Sequence, residues 1–231
     1  MPTLVIANKL YSSWSLRPWI LLRQLGISFE EVLIPLAEPD TKARILALSP
    51  GGTVPILIDE GATVWESSAI MDYAHERWPE AGVWPADRVA RAVARSISGE
   101  MHAGFRGLRS ACPMNLGKIY APRDRGPDVE RDVDRITTIW RDARERFGAG
   151  GDFLFGAFSA ADAMFAPVVT RFISYSIPVD PDIRHYMDAV IGTAAFQEWK
   201  DAALKETWVV AHDEPDEPVA IDLRPNRPGK T

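Results

Sequence analysis

Cysteine is almost absent from this chain of 231 residues: Cys112 stands alone. A single thiol excludes a disulfide framework and a zinc site built from cysteines. Histidine is nearly as scarce, and His75, His102, His185 and His212 show no paired helical spacing, so no metal site is expected. Positive charge is in the minority, with 26 Lys and Arg against 32 Asp and Glu, a net charge of −6 and a pI near 5.3. That balance argues against a general nucleic-acid binder. No apolar run reaches the roughly 18 residues of a membrane span, and no basic-then-apolar leader opens the chain, so neither span nor signal peptide is expected. These absences describe a reduced, cytoplasmic, soluble protein, long enough for one large or two small domains.

What is present is concentrated around Gly51-Gly52-Thr53-Val54-Pro55-Ile56-Leu57 and the dipeptide Glu66-Ser67. Ile56-Leu57-Ile58 and Thr63-Val64-Trp65 flank the turn signal Asp59-Glu60-Gly61 and read as a hairpin. Pro55 cannot donate to a ladder, so it belongs at a strand start or edge. A cis bond there would turn the N–H and C=O of Val54 outward, free to pair with an extended ligand. Glu66-Ser67 ends the second strand and opens a helix through Arg77. Backbone N–H groups and a hydroxyl at that point suit a carboxylate, and the acid beside them suits an ammonium.

The N-terminal segment has a matching logic. Leu4 to Ala7 reads as a strand, and Tyr11-Ser12-Ser13-Trp14-Ser15-Leu16-Arg17-Pro18-Trp19 leads into a helix. With Ser15 as N-cap, Pro18 falls at the third helical position, where no intrahelical N–H is needed. Ser12 and Ser13 then lie just ahead of the helix, at the positive end of its dipole. A second strand (Phe29 to Ile34) and a second helix (about Asp40 to Leu48) precede the Val-Pro hairpin.

This ordered set resembles the glutathione transferase family, in its Ser-type, bacterial or zeta-like branch, across nearly the whole chain. The resemblance implies an α/β thioredoxin-like N-terminal domain followed by an all-α helical-bundle C-terminal domain. The expected divisions are 1–78 for the first, a linker at 79–85, 86–212 for the second and an extended tail at 213–231. It also implies glutathione as co-substrate. Thr53, Val54 and Pro55 would belong to its binding site, with the Val54 backbone paired to its cysteinyl part, Glu66 and Ser67 would hold its γ-glutamyl end, and Lys42 would reach its glycyl carboxylate. Ser12, aligned on Arg17, is the first candidate for the thiolate-binding hydroxyl and Ser13 the second, with Tyr11 and Ser15 behind them. Ser-Ser-x-Ser-x-Arg is zeta-like, but Trp14 stands where those members carry a Cys, and no loop Cys is present for thiol-transferase chemistry.

A thiol with a pKa near 8.5 is only slightly ionised at neutral pH. Lowering that value by about two units requires about 2.7 kcal/mol in favour of the anion. A hydrogen bond to a charged group supplies about 1.5–3 kcal/mol and a helix N-terminus about 0.3–1. A Ser hydroxyl and a dipole therefore suffice. The implied activity is attack of the thiolate on an apolar electrophilic small molecule, by a homodimer. A glutathione-dependent isomerase of maleylacetoacetate type and a non-catalytic binding module of the same fold are the alternatives.

In the second half, Val89, Val93, Ile97, Met101 and Phe105 form an apolar stripe at four-residue spacing on one long helix. The second-substrate pocket is expected near Met101 and Phe105 and at the tail. Arg88, Arg95, His102 and Arg109 recur every seven residues. They read either as a solvated face or as a lining of the inter-domain cleft or dimer seam. Ser159-Ala160-Ala161-Asp162 is a capping-box variant before the apolar run Ala163 to Val169. Cys112, before Pro113, reads as a small core residue. The tail from Asp213, with Pro215, Pro218, Pro225 and Pro228, reads as extended.

Overall fold

The computed structural model describes residues 1–224; Pro225 and Pro228 of the tail lie outside the described residues. The N-terminal part is a sheet with three helices. Strands β1 (Thr3–Ile6), β2 (Glu30–Leu33), β3 (Ile56–Asp59) and β4 (Ala62–Trp65) lie in the order β2-β1-β3-β4. β1 and β2 are parallel, and β3 is antiparallel to both β1 and β4. Helices α1 (Ser13–Gln24), α2 (Thr41–Leu46) and α3 (Ser67–Arg77) complete this thioredoxin-like unit.

The register decides what meets at one end of the sheet. Ile56 lies opposite both Val5 and Trp65. The loop leaving β1, the Val54–Pro55 bond entering β3 and the Glu66 turn leaving β4 therefore share one end of the sheet. The Val54–Pro55 peptide is cis. Gly52 in the same loop has φ +60°, and a Cβ there would come within 2.5 Å of Lys42 Nζ.

Helix α1 begins earlier than the proline suggests. Ser12, not Ser15, is the N-cap, and Pro18 sits inside the helix. A buried proline removes one backbone bond and costs about 3 kcal/mol. Leu16, Trp19, Ile20, Leu21 and Leu22 are all fully buried on this helix. At about 1.5–3 kcal/mol each, their burial outweighs that cost several-fold.

The remainder is helical, as the family resemblance implies: α4 (Arg88–Ala103), α5 (Arg106–Ala111), α6 (Pro127–Phe147), α7 (Ala160–Ser174), α8 (Pro181–Ile191) and α9 (Ala194–Ala203). Helix α7 runs through the centre, packed on α1 and α4, with nearly every residue buried. Asp162 closes its start, accepting from Ser159 N–H at 2.9 Å and Leu154 N–H at 3.0 Å. The segment from Trp78 makes a 3-10 turn (Pro79–Ala81). It then buries Val83 and Trp84, whose indole N–H donates to Asp72 at 3.1 Å.

Two expectations change here. The long helix is broken: Gly104 ends α4, Phe105 takes φ +56°, and α5 carries Arg109 in a new direction. The apolar stripe also rotates, because a four-residue step advances about 40° beyond a full turn. Val89 is consequently 54 % exposed, while Ala90, Ala94, Ile97 and Met101 face the core. The described part of the tail is extended and includes a strand. After a 3-10 turn (Ala211–Asp213), β5 (Lys118–Tyr120) pairs antiparallel with β6 (Val219–Asp222). Among the described residues no helix is long and apolar enough to cross a membrane.

Candidate functional site

The head of α1 opens into a cavity of about 500 Å³ lined by Ser13, Trp14, His102, Ala103, Arg106, Arg109, Ser110 and Arg171. The two serines differ in environment. Ser12 is 8 % exposed, accepts from Ser15 N–H at 3.3 Å and donates to Ser15 Oγ at 2.8 Å. Its hydroxyl is a helix cap. Ser15 is itself buried and accepts from Ala7 N–H at 3.0 Å. Ser13, the first residue of the helix, is half-buried and lines the cavity. The Tyr11 hydroxyl points elsewhere, donating to Glu214 at 2.5 Å.

The wall around Ser13 is cationic. Arg17 is 1 % exposed and donates to Ser13 O at 2.9 Å and Met164 O at 3.1 Å. Arg171 is equally enclosed, donating to Cys112 O at 2.8 Å and Pro167 O at 3.2 Å. Arg109 donates to Gly104 O at 3.2 Å. Among the described residues no carboxylate lies within ion-pair distance of Arg17, Arg106, Arg109 or Arg171. Burial, then mutual repulsion, pushes the Arg17 guanidinium well below its ordinary pKa. Burial likewise lowers Arg109, with Arg106 adding to the effect, and brings Arg171 down to about 10. A guanidinium nevertheless keeps its charge at neutral pH. Cations held this way create a strong local potential for an anion.

Trp14 is the hub of this wall. Its ring lies 4.1 Å from the Arg17 guanidinium, 4.9 Å from that of Arg109 and 5.0 Å from the His102 ring. His102 in turn faces Glu66, with Nε2 3.7 Å from Oε2. Glu66 is the N-cap of α3, with φ +72° and an exposed carboxylate. Ser67 begins that helix fully buried, its hydroxyl turned to Met164 Sδ at 4.0 Å. The Ser67 side chain therefore faces the core, leaving the α3 amides as the donors at this end. Lys42 reaches back to Gly52 O at 2.9 Å, beside exposed Thr53 and half-buried Val54.

Met101 and Phe105, the residues expected beside the second-substrate pocket, do not line the cavity themselves. Both are buried in the core, and their neighbours His102, Ala103 and Arg106 line the cavity instead. A four-residue stripe cannot indicate which side of a broken helix faces inward. The heptad stripe divides as well: Arg95 pairs with Asp72 at 3.5 Å, while His102 and Arg109 turn into the cleft. Arg171 escaped the sequence reading, although a lone arginine in the apolar run of α7 was a usable signal. Cys112 is fully buried and burial pushes its thiol up to about 11, which removes it as a nucleophile. Among the described residues no group of His, Cys, Asp or Glu could hold a metal ion.

Comparison with known proteins gives this geometry a family. Residues 11–77 match the glutathione S-transferase N-terminal domain. A Drosophila melanogaster glutathione S-transferase is 31% identical over 193 residues, covering 81% of this chain and 84% of that protein. The rat maleylacetoacetate isomerase is 27% identical over 202 residues, covering 84% and 90%. A sphingomonad glutathione S-transferase solved with glutathione superposes with a TM-score of 0.61 at 25% identity, over 88% of this chain and 100% of the other. This chain belongs to the glutathione transferase family.

Proposed function

We propose that the chain is a glutathione-dependent transferase whose co-substrate lies at the end of the sheet shared by Ser13, Val54 and Glu66. The observation carrying this reading is the register that brings the head of α1, the Val54–Pro55 loop and the start of α3 to one end of the sheet. The thioredoxin-like unit of residues 1–78 would hold glutathione, and the helical unit beyond the 79–85 linker would hold the second substrate. Val54 pairs its backbone with the cysteinyl part. Glu66 takes the γ-glutamyl ammonium and the first amides of α3, from Ser67 on, take the γ-glutamyl carboxylate. Lys42 and Thr53 stand at the glycyl end.

Ser13 donates to the thiolate, Ser12 caps the helix beneath it, and the Arg17 charge behind the Ser13 carbonyl favours the anion. The thiol proton goes to solvent. The sulfur lone pair then forms a C–S bond to the electrophilic carbon, and the leaving group departs with its electron pair.

A second reading, glutathione-dependent isomerisation, is favoured by the cationic wall. Arg106, Arg109 and Arg171 suit a substrate carrying carboxylates better than an apolar one. In that reaction the sulfur adds and then leaves, so glutathione is not consumed, and glutathione consumption during turnover of a cis-dienoic diacid separates the two readings.

Absorbance of the thiolate near 240 nm tests the shared step. Bound glutathione should titrate well below free glutathione, and Ser13→Ala should raise that value by about one to two units, the equivalent of about 1.5–3 kcal/mol of lost hydrogen bonding. Ser12→Ala should instead cost about 1 kcal/mol of stability in urea unfolding and move the titration less. A shift in Ser12→Ala alone would return the catalytic role to Ser12. No shift in either would favour the non-catalytic binding module.

A further inference from the structure

The turn that presents Ser12 and Ser13 is held mainly by groups outside the thioredoxin-like unit. The Asn8 carbonyl accepts from Tyr11 N–H at 3.2 Å and Ser12 N–H at 2.8 Å. Lys9 and Leu10 thus form the outside of a tight turn, and their own amides face away from it. Both amides end on one carboxylate: Lys9 N–H donates to Glu206 Oε1 at 2.7 Å and Leu10 N–H to Glu206 Oε2 at 3.1 Å. Glu206 lies just beyond α9. The carbonyls are tied from the same direction. Lys9 O accepts from the Trp199 indole at 2.9 Å, and Leu10 O accepts from Leu116 N–H at 3.2 Å.

The Lys9 ammonium is locked too. It pairs with Glu31 at 2.7 Å and sits 5.2 Å and 5.5 Å from the Trp19 and Trp199 rings. Glu206 is anchored by its own carbonyl, which accepts from Arg224 at 2.8 Å. A carboxylate spanning two successive amides is a geometry a neutral side chain of the same size cannot reproduce, since only one of its ends accepts. Burial raises the Glu206 pKa, against the pull of these two amides and of Lys9.

We propose that Glu206 is a positioning residue for thiol activation: by clamping the amides of Lys9 and Leu10 it sets the height of Ser12 and Ser13 at the head of α1. The C-terminal segment thereby acts on the chemistry without touching glutathione. This inference rests on the reading that the glutathione thiol lies at that helix head.

The test compares the full-length parent with Glu206→Gln and Glu206→Asp. Glu206→Gln should raise the apparent pKa of bound glutathione by about one unit, which from a parent value about two units below the free thiol cuts the thiolate at pH 7 about threefold. The rate constant with a chlorodinitrobenzene should fall in step, with glutathione Kd within about twofold. Glu206→Asp keeps the charge on a shorter stem and should recover part of the shift. A folded Glu206→Gln that titrates like the parent overturns the inference alone. Should Glu206→Gln fail to fold, an unshifted Glu206→Asp overturns it. A parent that leaves the thiol at its free value overturns the functional reading and this inference together.

Discussion

At the scale of single residues, burial separates groups of similar chemistry. Ser12 and Ser13 are neighbours, yet one hydroxyl is consumed within the helix cap and the other borders the cavity. Cys112 is enclosed next to the buried Arg171, which takes its carbonyl oxygen. Its thiol is pushed up to about 11, chiefly by desolvation. A thiol so placed is neither ionised nor reachable. The native protein should therefore take up no label from a thiol reagent at pH 8, and one equivalent per chain in denaturant, counted by absorbance or mass. Labelling of the native state would contradict the placement of Cys112 in the core.

At the scale of elements, α7 depends on one buried acid at its start. Its capping carboxylate, Asp162, is fully buried and accepts from Ser159 and Leu154 amides. Asp162→Ala would leave both amides unpaired and should cost about 3 kcal/mol in urea unfolding. The pH dependence has a definite sign. Desolvation raises the folded pKa of Asp162 to about 6, above the 3.8 of the free group. The fold therefore favours the protonated acid, and its contribution declines as pH rises through 6. The stability gap between parent and Asp162→Ala should be wider at pH 5 than at pH 8. A gap that widens with pH would mean the ionised carboxylate is the favoured form.

At the scale of the whole molecule, single apolar side chains are exposed at the end of β4 and the start of α4. Trp65 at the end of β4 is 39 % exposed and Val89 at the start of α4 is 54 % exposed. The prediction at this scale is a homodimer, with Trp65 and Val89 among the side chains a two-fold interface would cover. Light scattering at micromolar concentration should report twice the 25.6 kDa chain mass. A monomer would leave Trp65 and Val89 as ordinary exposed side chains.

The strand and helix order of the first 77 residues was legible in sequence because its signals are local. Turn residues, a strand-opening proline and caps act within a few positions of one another. Val54–Pro55 and Glu66-Ser67 were visible for the same reason, as was the Ser159–Asp162 cap. What the tertiary structure alone decided depends on contacts distant in sequence. The start of α1 was one such case, because burial between sheet and α7 outweighed the proline signal. The character of the cavity was another: Arg106, Arg109 and Arg171 line it from two helices with Arg17 behind the Ser13 carbonyl, and only packing reveals that they converge without a carboxylate partner among the described residues. The clamp of Glu206 on Lys9 and Leu10 spans nearly 200 residues of chain, a separation at which no periodicity or spacing carries information.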